Sequence, residues 1–124
     1  VTAALVLTVV AAGAVGALAR YLVSRAFGQG RQFPWAVLTV NVVGSAIGGA
    51  VLAFVESGAV GSDIRLVLLT GLCGGLSTFS TFSVETVQRV LDGKARLALL
   101  SIAANLVLGI GAAAGAYLLV GAAF

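Results

Sequence analysis

Histidine and methionine are absent, cysteine, proline and tryptophan occur once each, and only four acidic side chains stand among 124 residues. Each scarcity excludes something. Without histidine the chain lacks the commonest metal ligand and the side chain that switches charge near neutral pH. A single cysteine, Cys73, rules out an internal disulfide and reads as a small packing residue. No histidine, no acid near the middle of an apolar run and no thiol in a basic setting leave no nucleophile and base pair to assemble, so an enzyme is not expected. Charged residues make up 9% of the chain, too few to cover a water-facing surface.

What is present is apolar: 60% hydrophobic residues, 17 glycines and a mean hydropathy of +1.17. Four runs, at about 3–24, 34–55, 64–91 and 96–122, each reach the ~20 residues that a bilayer's hydrocarbon requires at helical rise. We therefore expect a single four-helix transmembrane domain over residues 1–124, all-α, with its function inside the membrane. Ala17-Leu18-Ala19 has the small-x-small form of a signal-peptide cleavage site, but the arginines follow the apolar run rather than precede it, so the run reads as a span. The chain starts at Val1, which leaves room for residues before it natively.

The net charge of +3 reports topology more than partners. With four spans, Arg65 lies on the side of both termini, whereas Arg20, Arg25, Arg31, Arg89, Lys94 and Arg96 lie on the other. The first and third loops are thus expected in the cytoplasm and both termini outside.

Glycine motifs such as Gly13-x-x-Gly16 and Gly109-x-Gly111-x-x-x-Gly115 echo nucleotide loops, but they sit within apolar helices without a preceding strand. They read as packing faces. Gly44, Ser45, Gly48 and Gly49 in the second span, with Gly109, Ala112 and Gly115 in the fourth, are expected to let helix backbones approach closely.

The third span is different. Residues 71–86 combine paired glycines, a run of hydroxyls and two phenylalanines. Gly74 and Gly75 each weaken a helix by roughly 1 kcal/mol relative to alanine, and Ser77, Thr78, Ser80 and Thr81 carry polar atoms that hydrocarbon does not satisfy. A helix broken near 74–79 is expected, and a break at mid-membrane frees carbonyls able to hold a cation where lipid is excluded. Phe79 and Phe82 share a face at i, i+3, and their positive ring edges can line an anion path. Asn41 either bonds helices together or offers its NH2 group to that anion. Four helices have little interior for a polar path, so the polar faces are expected to meet across a dimer interface. No ionisable side chain lies near mid-membrane to couple transport to protons, and the first span lacks the carboxylate a small multidrug antiporter needs. Glu85 falls about 15 Å beyond the glycine pair, near a membrane interface.

Gly13-x-x-Gly16-Ala-x-x-Arg20, Leu38-Thr39-Val40-Asn41-x-x-Gly44 and Gly71-x-Cys73-Gly74-Gly75-Leu76-Ser77-Thr78-Phe79-Ser80-Thr81-Phe82-Ser83-x-Glu85 resemble the bacterial fluoride channel family, Fluc or CrcB. The resemblance spans all four runs. It implies a multi-pass protein of the bacterial plasma membrane, an antiparallel dimer with two fluoride pores, and passive export that relieves fluoride toxicity. It also implies a structural sodium ion at the dimer centre, held by the Gly74 and Ser77 carbonyls. By motif position, Phe79 and Phe82 become the pore phenylalanines, Asn41 a pore-lining donor, Ser80 and Thr81 part of a polar track, and Arg20 the basic residue of the vestibule. Glu85 matches the carboxylate that closes the motif. Two departures stand out: Ser77 replaces a common threonine, and Ser101, with Asn105 at i+4, stands where many relatives have a tyrosine. Ser101 and Asn105 are expected to form a hydroxyl-and-amide rail. The partner is a second copy or an oppositely inserted paralogue. A partner whose own pore is silent and a small proton-coupled anion transporter are the alternatives.

The six-to-one distribution of basic residues predicts one orientation. In a Cys73→Ala background, Lys94→Cys should react with an impermeant thiol reagent from the cytoplasmic side alone; equal labelling from both sides would establish dual insertion.

Overall fold

The computed structural model describes residues 1–28, 30 and 32–124; Arg31, one of the six basic residues on the expected cytoplasmic side, lies outside them. The described residues form helices and no strands. Helix α1 (Ala3–Phe27) starts where the Thr2 hydroxyl accepts the Leu5 N–H at 3.1 Å. It stops at Gly28, whose φ of 71° reverses the chain without a Cβ clash. Helix α2 (Trp35–Glu56) follows Pro34, and α6 (Ala95–Gly121) follows a turn through Gly93.

The third span, Ser62–Leu91, is composite. A short α3 (Ser62–Arg65) runs into a π-helical stretch, Leu66–Cys73, then into α4 (Gly74–Leu76). The helix opens at Ser77, whose ψ of 156° is extended, and resumes as α5 (Ser80–Leu91). Gly74 and Gly75, expected to break the helix, thus remain helical, and the irregular residues are Ser77, Thr78 and Phe79. The π-helical stretch has no counterpart in the sequence reading.

The paired glycines serve close approach instead. A Cβ on Gly75 would overlap the Gly13 carbonyl of α1, and one on Gly16 would overlap the Leu72 carbonyl. One on Gly71 would lie 2.8 Å from the Val9 carbonyl oxygen and 2.9 Å from the Ala12 Cβ. Helix α1 is therefore seated on the third span backbone to backbone, where short separations gain the dispersion contacts that lipid by itself does not supply. Helix α2 packs most extensively on α6, with Gly49 directly against the Ala113 carbonyl and Gly109 close to the Ser45 hydroxyl. Gly115, expected in that seam, is outside it: a methyl group there would meet nothing within 4 Å.

Buried apolar side chains are concentrated on α2, at Val37, Leu38, Val40, Val51 and Ala53. Leu7, Val10 and Leu18 of α1 and Val107, Ile110 and Leu119 of α6 are exposed, as lipid-facing side chains are. Four helices long and apolar enough to cross a bilayer, and short connections between them, make this an integral, multi-pass membrane protein.

Gly75→Ala should destabilise the folded protein in detergent by about 1–3 kcal/mol, the cost of forcing a methyl group into a filled space. Gly111→Ala, where nothing lies within 4 Å, should leave stability unchanged or slightly raised. Thermal unfolding of both variants checks the pair.

Candidate functional site

The site begins with one peptide unit. Thr78 sits in the break, and both of its backbone polar groups pair with the Asn41 side chain of α2. Its N–H donates to Asn41 Oδ1 at 2.7 Å, and its carbonyl accepts from Asn41 Nδ2 at 3.1 Å. In a continuous helix that N–H would donate to Gly74, four residues back. A side-chain amide has taken its place, which is how polar side chains compete with helical bonding.

A second diversion follows three residues on. The Thr81 N–H, which would otherwise donate to Ser77, donates to Thr78 Oγ1 at 3.1 Å. The Gly74 and Ser77 carbonyls therefore both lose their helical donors to side chains. Hard cations such as sodium are bound through oxygen ligands, and two freed carbonyls near the bend are the type of donor such an ion takes. Among the described residues no cluster of acidic or cysteine side chains offers an alternative metal site. The residues thus fit a backbone-held cation.

A cavity of about 460 Å³ opens beside the break, lined by Asn41, Ser45, Ser77, Thr78, Phe79, Phe82 and Asn105, with Ile102 and Leu106. The Phe79 and Phe82 rings are tilted at 46° with centroids 6.0 Å apart. Phe79 is 79% exposed, an aromatic ring next to freed carbonyls with little cover from the described residues. Helix α5 starts here as well. Its first N–H groups and the positive end of its dipole favour negative charge at the cavity.

On the other side of Thr78 is a cavity of about 250 Å³, lined by Arg20, Tyr21, Ser24, Val40 and Thr81 as well as Thr78 itself. Thr78, buried at 6% exposure, is the wall between the two spaces. Its hydroxyl donates to the Thr81 hydroxyl at 3.1 Å and lies 3.3 Å from the Ser80 hydroxyl. Ser24 leads on to a third space of about 280 Å³ with Glu85 and Arg89 on its wall. Arg89 turns its guanidinium to the Gln32 carbonyl at 2.7 Å and the Glu85 carbonyl at 3.1 Å, while Glu85 Oε1 is buried without a partner among the described residues.

The structure thus brings Asn41, Phe79, Phe82 and Asn105 to one cavity and Arg20 and Thr81 to its neighbour. Ser80 is exposed at the edge of the hydroxyl cluster. Ser101 is placed differently: at 1% exposure it is buried behind Asn105, does not line the large cavity, and has no partner for its hydroxyl. Its carbonyl accepts from Asn105 Nδ2 at 2.8 Å, and Asn105 Oδ1 accepts from Asn41 Nδ2 at 3.0 Å. Thr78 was missed as a site residue. Its signal was available, a hydroxyl residue in the irregular stretch, but its backbone partner is 37 residues away in sequence.

Asn41→Leu strands the Thr78 N–H and carbonyl together, at about 1–3 kcal/mol for each buried group left unpaired. It should therefore destabilise the protein by roughly 2–6 kcal/mol. Thr8→Val removes a single bond to the Ala4 carbonyl on an exposed face and should cost under about 1 kcal/mol. Chemical unfolding in the same detergent compares them.

Residues 7–117 match the family described as CrcB-like protein, Camphor Resistance (CrcB). Among curated relatives, a protein of Idiomarina loihiensis named fluoride-specific ion channel FluC is 44% identical over 110 residues, covering 86% of this chain and 84% of its own. Proteins of the same name from Nitrobacter winogradskyi, 39% identical over 110 residues (86% and 87% covered), and Pyrococcus abyssi, 41% identical over 105 residues (84% and 85% covered), are comparably similar. With four membrane-length helices, a bent third span and a match across nearly its whole length, the chain belongs to the CrcB family.

Proposed function

We propose that this chain is a fluoride-selective channel that lets fluoride leave the bacterial cytoplasm passively, relieving its toxicity. The observation that carries the reading is the cavity at the third-span break. Two aromatic rings, a hydroxyl cluster, a helix N-terminus and an arginine in the adjoining space converge there, without a carboxylate on either side of Thr78. Fluoride is small, hard and strongly hydrated. A narrow path of fixed donors and ring edges can replace its water, where a wide pore cannot discriminate it from chloride. Its function is ion conduction rather than catalysis.

The path needs a second chain. Phe79 and the Gly74 backbone are exposed in the single chain, and neither a free carbonyl nor a polar cavity is tolerated against lipid. An antiparallel dimer would cover both and form two pores. Sodium, held at the dimer centre by the Gly74 and Ser77 carbonyls of both subunits, would supply a fixed positive charge to neutralise those oxygens and pin the two bends together. The six-to-one bias of basic residues favours one orientation, which makes an oppositely inserted paralogue a candidate partner alongside a second copy. Coupling to protons is disfavoured, because neither space beside Thr78 has a carboxylate on its wall and Glu85 lines the third space instead.

Fluoride efflux from liposomes carrying the purified chain, read by a fluoride electrode with valinomycin to release potassium, tests the reading. Rapid fluoride release without matching chloride release is expected from this chain alone or from its complex with the paralogue. Phe79→Ile and Phe82→Ile should each abolish release from protein that purifies as a folded species. Equal passage of chloride would overturn the selective-channel reading, and a steep dependence on the proton gradient would revive the coupled transporter.

A further inference from the structure

The hydrogen-bond pattern fixes a direction through the two asparagines of this chain. A backbone N–H only donates and a backbone carbonyl only accepts, so the Thr78 peptide unit dictates which end of the Asn41 amide is oxygen and which is nitrogen. Asn41 Nδ2 carries two protons, and both are spent, one on the Thr78 carbonyl and one on Asn105 Oδ1. Since that nitrogen only donates, Asn105 must present its oxygen to it, and the Asn105 nitrogen is left facing the Ser101 carbonyl at 2.8 Å. Reversing Asn105 would set donor against donor at Asn41 and oxygen against oxygen at Ser101. Asn105 Nδ2 also carries two protons, and one is used. The other has no acceptor among the described residues, on a side chain that lines the cavity with Phe79 and Phe82.

We propose that Asn105, rather than Asn41, supplies the amide proton that receives the anion in this cavity, and that Asn41 is the positioning residue that aims it. The inference rests on the fluoride-channel reading and assigns a role within it. Ring edges are weak, diffuse donors, whereas an amide N–H held by two other hydrogen bonds is directional and pre-aimed. A small hard anion gains more from such a donor than a larger one does. The arrangement also accounts for the buried carbonyl of Ser101, which takes the amide's other proton and keeps it from rotating away from the cavity. Position 105 then adds to selectivity, and position 41 to the shape of the break.

The chain has two asparagines and no others, so selective 15N-asparagine labelling in lipid nanodiscs yields two side-chain NH2 pairs. Fluoride titration should shift the Asn105 pair more than the Asn41 pair, while chloride at the same concentration shifts neither. A shift at Asn41 as large as that at Asn105, or no shift at either, overturns the proposal. The second arm is flux. Asn105→Asp keeps the oxygen that Asn41 needs but removes both amide protons, the free one and the one given to the Ser101 carbonyl, and should lower fluoride efflux at least roughly 10- to 100-fold at pH 7.5, the scale of one lost hydrogen bond to a charged group. Part of the flux should return at pH 5.5 relative to the unsubstituted protein, as the carboxyl regains a proton to donate. Wild-type flux in Asn105→Asp, with Phe79→Ile silent beside it, would leave the channel standing and overturn the role of Asn105. Absence of fluoride efflux from the unsubstituted protein and its complex would instead remove the channel reading, and the labelled amides would still report whether Asn105 binds the anion.

Discussion

Everything distinctive about the third span depends on one exchange of hydrogen bonds: the Thr78 peptide unit is paired with the Asn41 side chain instead of with its own helix. In hydrocarbon an unpaired N–H and carbonyl each cost several kcal/mol, so a helix does not open in mid-membrane unless a partner is in place. Asn41 is that partner, and it supplies both a donor and an acceptor from a single amide. Its acceptance of the Thr78 N–H releases the Gly74 carbonyl, and the Thr78 hydroxyl, by accepting the Thr81 N–H, releases that of Ser77. The bend, the two freed oxygens and the N-terminus of α5 thus share one cause.

For that exchange to occur, α2 must be held against the third span to within hydrogen-bond distance, and glycine is what permits it. Gly44 places α2 against Ser77, with only 3.3 Å between an added Cβ and the serine Cβ. On the opposite side Gly13 and Gly16 of α1 meet Gly71, Gly75 and the Leu72 carbonyl. The third span is pinned from both sides by backbone contact rather than by interlocking large side chains. This suits a membrane protein, whose helices gain little by excluding lipid and much by close packing. Gly49 against Ala113 fixes α6 to α2 in the same manner, and that contact carries Asn105 to Asn41.

The same economy leaves the polar face of the break open in the single chain. Its buried residues are few and mostly small, and the polar groups at the break are walled by only one subunit. A water-filled or ion-bearing path needs protein on every side, so the exposed Phe79 and the freed carbonyls mark the face that the proposed dimer would cover. At the other end of the bundle the chain closes on itself, with the Tyr117 hydroxyl bonded to Glu56 and Phe54 stacked edge-on to Phe124 at 5.5 Å.

Hydropathy and run length were enough to read four membrane helices from the sequence, because in a bilayer backbone satisfaction and hydrocarbon thickness leave no other fold for four such apolar runs. The break was legible as a region, from hydroxyls clustered where lipid tolerates none. Its cause was not. Gly74 and Gly75 looked like the breakers on propensity, but propensity describes an isolated helix, and here the glycines stay helical in order to meet α1. Which carbonyls are freed, which asparagine keeps a proton to give, and that Ser101 is buried behind Asn105 were decided by pairs 37 and 64 residues apart. Composition determined the solvent and the number of spans, since those depend on what each residue is. The tertiary structure alone decided the chemistry of the break, since a hydrogen bond's direction depends on which groups meet.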